Sequence, residues 1–93
     1  MTQKVWKVRG YQGTDRLFEW SCPVRAFTEA DMRSLLQRLV SMHLERKDII
    51  SASLKKGAKG YTSHLEVLPN RGGKPGFMTT GTDYHYSATI DED

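Results

Sequence analysis

The sequence predicts an α+β fold: an antiparallel β-sheet of four to five strands with one amphipathic helix on one face, in the order β-β-α-β-β-β. Three observations carry this. Apolar and polar residues alternate with period two in several short stretches, one segment alone repeats at 3.6 residues, and glycine- or proline-rich turns separate them.

The first stretch, 4–11 "KVWKVRGY", sets Trp6 and Val8 on one face and Lys7 and Arg9 on the other. "QGTD" follows with turn chemistry, Gly13 supplying positive φ and Asp15 a capping carboxylate. "RLFEWSC" alternates again, Phe18, Trp20 and Cys22 opposite Leu17, Glu19 and Ser21, so the two stretches read as an opening hairpin. Pro23 ends the second strand because it has no N–H for a ladder.

The helix is predicted at about 29–45. Thr28 is a good N-cap, and Glu29 and Asp31 sit in the first turn, where the helix dipole favours acids. Met32, Leu35, Leu36, Leu39, Val40 and His43 then fall on one stripe, and Arg46 and Lys47 follow where a C-terminus favours cations.

Beyond the helix, 49–55 reads as a strand with Ile50, Ala52 and Leu54 inward, and 61–68 as its partner with Ser63, Leu65 and Val67 inward. "KKGAKGY", 55–61, becomes the connection of that hairpin. "PNRGGKPG", 69–76, is a loop by composition, and 83–90 is a last strand with Tyr84, Tyr86, Ala88 and Ile90 inward.

With no linker or repeat in 93 residues, 1–93 is expected to be a single domain, its acidic end 91–93 disordered. The lone Cys22 excludes an intrachain disulfide, the N-terminus has no apolar leader, and no run is long enough to cross a bilayer, so a reducing, cytoplasmic setting is expected. Net charge is +3, and because "DED" carries −3, residues 1–90 carry +6, a tilt towards polyanions.

A size argument bears on function. Five strands at roughly 4.8 Å spacing make a sheet about 20–24 Å wide, and a helix about 10 Å across covers two or three of them. The inward face therefore holds more aromatic surface than one helix can hide. The loop residues Phe77 and Met78, sheet curvature or a second copy of the chain must cover the remainder. Trp6, Trp20, Tyr84, Tyr86 and Phe77 are the candidate interface residues.

The competing site is basic. Lys55, Lys56 and Lys59, with Tyr61 beside them, and Arg71 and Lys74 in the second loop are candidate nucleic-acid contacts, lysines for phosphate and tyrosine for stacking. The predicted outer face holds Lys7, Arg9, Glu19, Ser21, Ser51, Ser53, Lys55, Thr62, His64, Glu66, His85, Ser87 and Thr89. Without an aromatic it offers no stacking platform. Cys22, His43, His64 and His85 lack the close spacing of a zinc site; His64 and His85 share the predicted outer face as surface histidines, neighbours only if their strands pair. No nucleophile elbow or metalloprotease motif occurs. The sequence thus points to a small non-enzymatic protein-interaction or regulatory module, homodimeric through its aromatic face or bound to another protein. It implies no cofactor, metal or small-molecule substrate, and its alternative is a nucleic-acid binder using the basic loops.

Overall fold

Turn chemistry at residues 12–15 folds the chain back as expected, with Gly13 at φ 61°. The computed structural model describes residues 3–69 and 77–92. It joins β1 (Lys4–Gln12) and β2 (Asp15–Pro23) in an antiparallel hairpin that ends at the proline. The five strands form one antiparallel sheet in the order β2-β1-β5-β4-β3, completed by β3 (Val67–Pro69), β4 (Met78–Gly81) and β5 (Tyr84–Glu92). The α+β class is as the alternation predicts.

The inner face also follows the predicted parity. Trp6 stands opposite Cys22 and Ile90, Val8 opposite Trp20 and Ala88, and Gly10 opposite Phe18 and Tyr86. Helix α1 (Glu29–Ser41) lies on this face, its Thr28 Oγ1 accepting the Asp31 N–H at 3.1 Å. Met32, Leu36 and Val40 are buried against Trp6, Val8, Met78, Tyr86 and Ala88. Each such aliphatic side chain contributes on the order of 1.5–3 kcal/mol through burial.

Downstream of α1 the structure corrects the predicted order. The helix stops at Ser41 rather than 45, its backbone tightening into i→i−3 bonds from Met42, His43 and Leu44 to Leu39, Val40 and Ser41. A second helix, α2 (Arg46–Ser53), then occupies the segment expected as a strand at 49–55. The cause is a capping box: the Glu45 side chain accepts from the Asp48 backbone, and the Asp48 carboxylate accepts the Glu45 N–H. Ser51 and Ser53 donate to the carbonyls four residues back, Lys47 and Ile49, so their hydroxyls are satisfied inside the helix. Ile50, expected inward, is exposed.

The predicted strand 61–68 shrinks to Val67–Pro69, because the chain before it is held otherwise. Gln37 Nε2 donates to the Leu65 carbonyl at 2.8 Å, and Thr80 Oγ1 to the Glu66 carbonyl at 2.8 Å. Its ladder partner is β4, which lies where a loop was expected. Met78 and Thr80 point inward there, and the buried hydroxyl of Thr80 is satisfied by that same carbonyl. "KKGAKGY" is therefore no hairpin connection. It is two consecutive turns, Ala58 N–H to Lys55 O at 2.9 Å and Tyr61 N–H to Ala58 O at 3.1 Å. Gly57 (φ 93°) and Gly60 (φ 90°) each take the third turn position, where a type II turn requires positive φ.

At the other end of the sheet, Asp91 and Glu92 are not a disordered tail but the last residues of β5, opposite Val5 and Lys4.

Candidate interaction groove

Helix α1 packs over β5, β4 and β3. The hairpin half of the sheet is left to shorter devices. A 3-10 turn at Val24–Ala26 and the following Phe27 close over Trp6, whose indole N–H donates to the carbonyls of Val24 and Phe27, both at 3.1 Å. This buries Trp6 to 1% exposure. Nothing comparable among the described residues closes over β2. Phe18 and Trp20, on the same inner face one strand further out, each remain 41% exposed.

Between them and α1 runs an apolar groove of about 220 Å³, lined by Val8, Phe18, Trp20, Phe27, Leu35 and Leu39. Its walls are set by ring contacts. Trp20 meets Phe27 edge-on, with centroids 6.1 Å apart at 89°, and Phe18 leans on Tyr86 at 6.5 Å and 58°. Leu35 and Leu39 are the flank of the α1 stripe that the sheet does not bury. The groove opens onto the free edge of β2, since β2 is an outermost strand and is exposed along nearly its whole length. The opposite edge, β3, is three residues long and ends at a proline.

Of the residues expected at an interface, Trp20 lines this groove. Trp6 and Tyr86 belong to the core and leave the set. Tyr84 is half-buried, stacked on His43 with centroids 3.9 Å apart, and Phe77 is half-buried just before β4. Phe18, Phe27, Leu35 and Leu39 join Trp20 in the groove, beyond the expected interface set. The alternation had placed Phe18 beside Trp20 and the 3.6 period had placed both leucines on the stripe. What the pattern lacked was which strands α1 covers.

The basic set is less coherent. Glu66 binds two of its members, Lys56 Nζ at 3.4 Å and the Tyr61 hydroxyl, which donates at 3.0 Å. That bond to a carboxylate raises the Tyr61 pKa. Lys55 and Lys59 are exposed, while Arg71 and Lys74 lie outside the described residues. The outer face of the sheet differs from the expectation in two ways. It does carry an aromatic, Tyr11, stacked on its ladder partner His85 at 5.2 Å and 13°. Ser51, Ser53, Lys55, Thr62, His64 and Glu66 are not on that face, because their segments are not strands there.

His64 is not in a strand, so the condition for its being a neighbour of His85 is not met. His64 and His43 line a cavity of about 250 Å³ at the end of α1, with Asp48 and Asp83. Two of its groups already serve the fold: His43 Nε2 pairs with the Tyr86 hydroxyl at 2.8 Å and Asp48 caps α2, while His64 Nδ1 is buried without a hydrogen-bond partner among the described residues. Among the described residues no three His, Cys, Asp or Glu side chains are placed to hold a metal ion. Cys22 is half-buried at the inner face, and burial pushes its thiol pKa up, which suits an inert thiol. No helix of the described residues is long and apolar enough to cross a membrane. Searches of protein-family models, curated proteins and solved structures return no match to this chain.

Proposed function

We propose that this chain is a small non-enzymatic protein-interaction module that works by strand addition. An extended segment of a protein partner lies antiparallel along β2, and its bulky apolar side chains enter the groove beside Phe18 and Trp20. The observation that carries this reading is the coincidence of two unsatisfied features: a nine-residue outer strand and an apolar groove opening directly onto it. Backbone groups facing away from β1 supply affinity, and the groove selects side chains at alternate positions. The polyanion reading is less supported, because Glu66 occupies two of its four described residues.

Selection of a displayed peptide library against the chain tests the proposal. The expected ligands carry large apolar residues at every second position and are lost on Phe18→Ser or Trp20→Ser. N-methylation of a selected peptide at alternate backbone positions should also abolish binding. Ligands without the two-residue period, or indifferent to both substitutions, would overturn it. So would oligonucleotide binding that falls with salt and with Lys55→Glu and Lys59→Glu, if the peptide library yields nothing.

A further inference from the structure

The β2 strand carries an irregularity that suits it to pair with itself. Its ladder to β1 skips Leu17: Gly10 stands opposite Phe18, and Tyr11 opposite Arg16. The extra residue brings Arg16 onto the outer face, where Arg9 and Glu19 stand opposite each other. There its guanidinium reaches the Glu19 carboxylate at 3.4 Å, beside the Arg9 pair at 2.9 Å. The same shift puts Asp15, opposite Gln12, on the inner-face parity of Phe18 and Trp20.

Residues opposite each other in an antiparallel pair must share a face and point their backbone groups the same way across the ladder. In an unbroken strand these conditions allow only self-pairings centred on a residue. One centred on Glu19 sets two carboxylates against each other, which is destabilising. One centred on Phe18 would, past Leu17, set outward Arg16 against inward Trp20. One centred on Trp20 meets the conditions but runs into Pro23 and makes no charge pair. The extra residue opens a further register, centred between Leu17 and Phe18. There Arg16 faces Glu19 of a second copy, Asp15 faces Trp20, and both contacts occur twice about the two-fold axis. It is the register in which opposite charges meet.

We propose that the partner added along β2 is a second copy of this chain, giving a two-fold dimer with one continuous sheet and Arg16 of each copy opposite Glu19 of the other. This rests on strand addition as the mode of interaction and names its occupant. Phe18 and Trp20 of both copies then lie side by side on one face, between the two α1 helices. The backbone groups of β2 that point away from β1 gain partners.

Sedimentation equilibrium of the whole chain tests this with two charge variants. Arg16→Glu makes the strand wholly acidic at the two positions, and Glu19→Arg makes it wholly basic. Each alone should weaken the dimer roughly tenfold or more, since like charges then oppose each other twice. An equimolar mixture of the two should regain the dimer as a heterodimer, an outcome that pairs within one chain cannot produce. On the unaltered protein, hydrogen exchange should show β2 amides gaining protection as concentration rises. A wild-type monomer at millimolar concentration, a dimer indifferent to both variants, or no rescue on mixing would overturn the proposal. If the chain is monomeric while selected peptides still require Phe18 and Trp20, the second copy falls and strand addition stands. If a dimer persists in Phe18→Ser and Trp20→Ser and is blind to charge, both fall.

Discussion

The inner face of this sheet has two halves built from similar residues and finished differently. Under α1, β5 and β4 bury Tyr86, Ala88, Met78 and Thr80 to a few per cent exposure or less. On the hairpin side, β1 is closed by a 3-10 turn and Phe27, while β2 presents Phe18 and Trp20 half-covered. β5 alternates no better in sequence than β1 and β2, so hydrophobicity does not explain the difference. It comes from reach, since a single helix covers two or three strands and α1 sits to one side. Alternation says which way a side chain points, and only the position of the helix says whether anything meets it.

The largest expected contrast is between matched truncations in the two halves. Leu36→Ala, which empties a fully buried site beneath α1, should cost about 2–5 kcal/mol in denaturant unfolding. Trp20→Ser should cost about 1 kcal/mol in the monomer, as half-exposed sites away from special features do, while abolishing partner binding. Equal losses at the two sites would show that the groove is as closed as the core. A smaller effect is expected at the seam. Gly10 lies beneath the Tyr86 ring, and a Cβ there would overlap it. Gly10→Ala should therefore displace that ring and cost about 1–3 kcal/mol, with loss of the Phe18 and His43 ring contacts seen by near-ultraviolet dichroism.

The smallest effect belongs to Glu19 on the outer face. The hydrogen bond from Arg9, and then the charge of Arg16, hold its carboxyl below the usual 4.5. A lowered carboxyl pKa contributes stability that is present above the unfolded value and is lost as pH falls through the folded one. The Glu19 carboxyl resonance should accordingly titrate below 4.5, and Arg9→Gln should move its midpoint back up. A midpoint at or above 4.5 in the wild type would remove the charged cluster on which the proposed dimer register depends.

How much of this was legible can be traced residue by residue. The hairpin, its turn at Gly13, its end at Pro23, the Thr28 cap and the inward parity of nine residues from Trp6 to Ile90 all follow from short-range rules, and all are in the structure. The segment 46–53 reads as a strand because Ile50, Ala52 and Leu54 mimic a two-residue period. The Glu45–Asp48 capping box that decides for helix uses acids at both positions, where the usual signal begins with a hydroxyl. β4 has no clear alternation because its inward positions are Met78 and a threonine, whose burial requires its hydroxyl to donate to a carbonyl in a distant segment. Glu66, which binds the basic turns, alternates in sequence like a strand residue, so its meeting with Lys56 and Tyr61 has no signal in the chain.

For the site, the sequence by itself determined that an aromatic surplus exists on one face, because period and area are local and additive. Which aromatics form it was a tertiary decision. Trp6 is buried by carbonyls from Val24 and Phe27, and Trp20 is left at the rim because α1 docks over β5 and β4. Strand order and helix placement are set by contacts between residues far apart in the chain, and no pattern within a single segment encodes them.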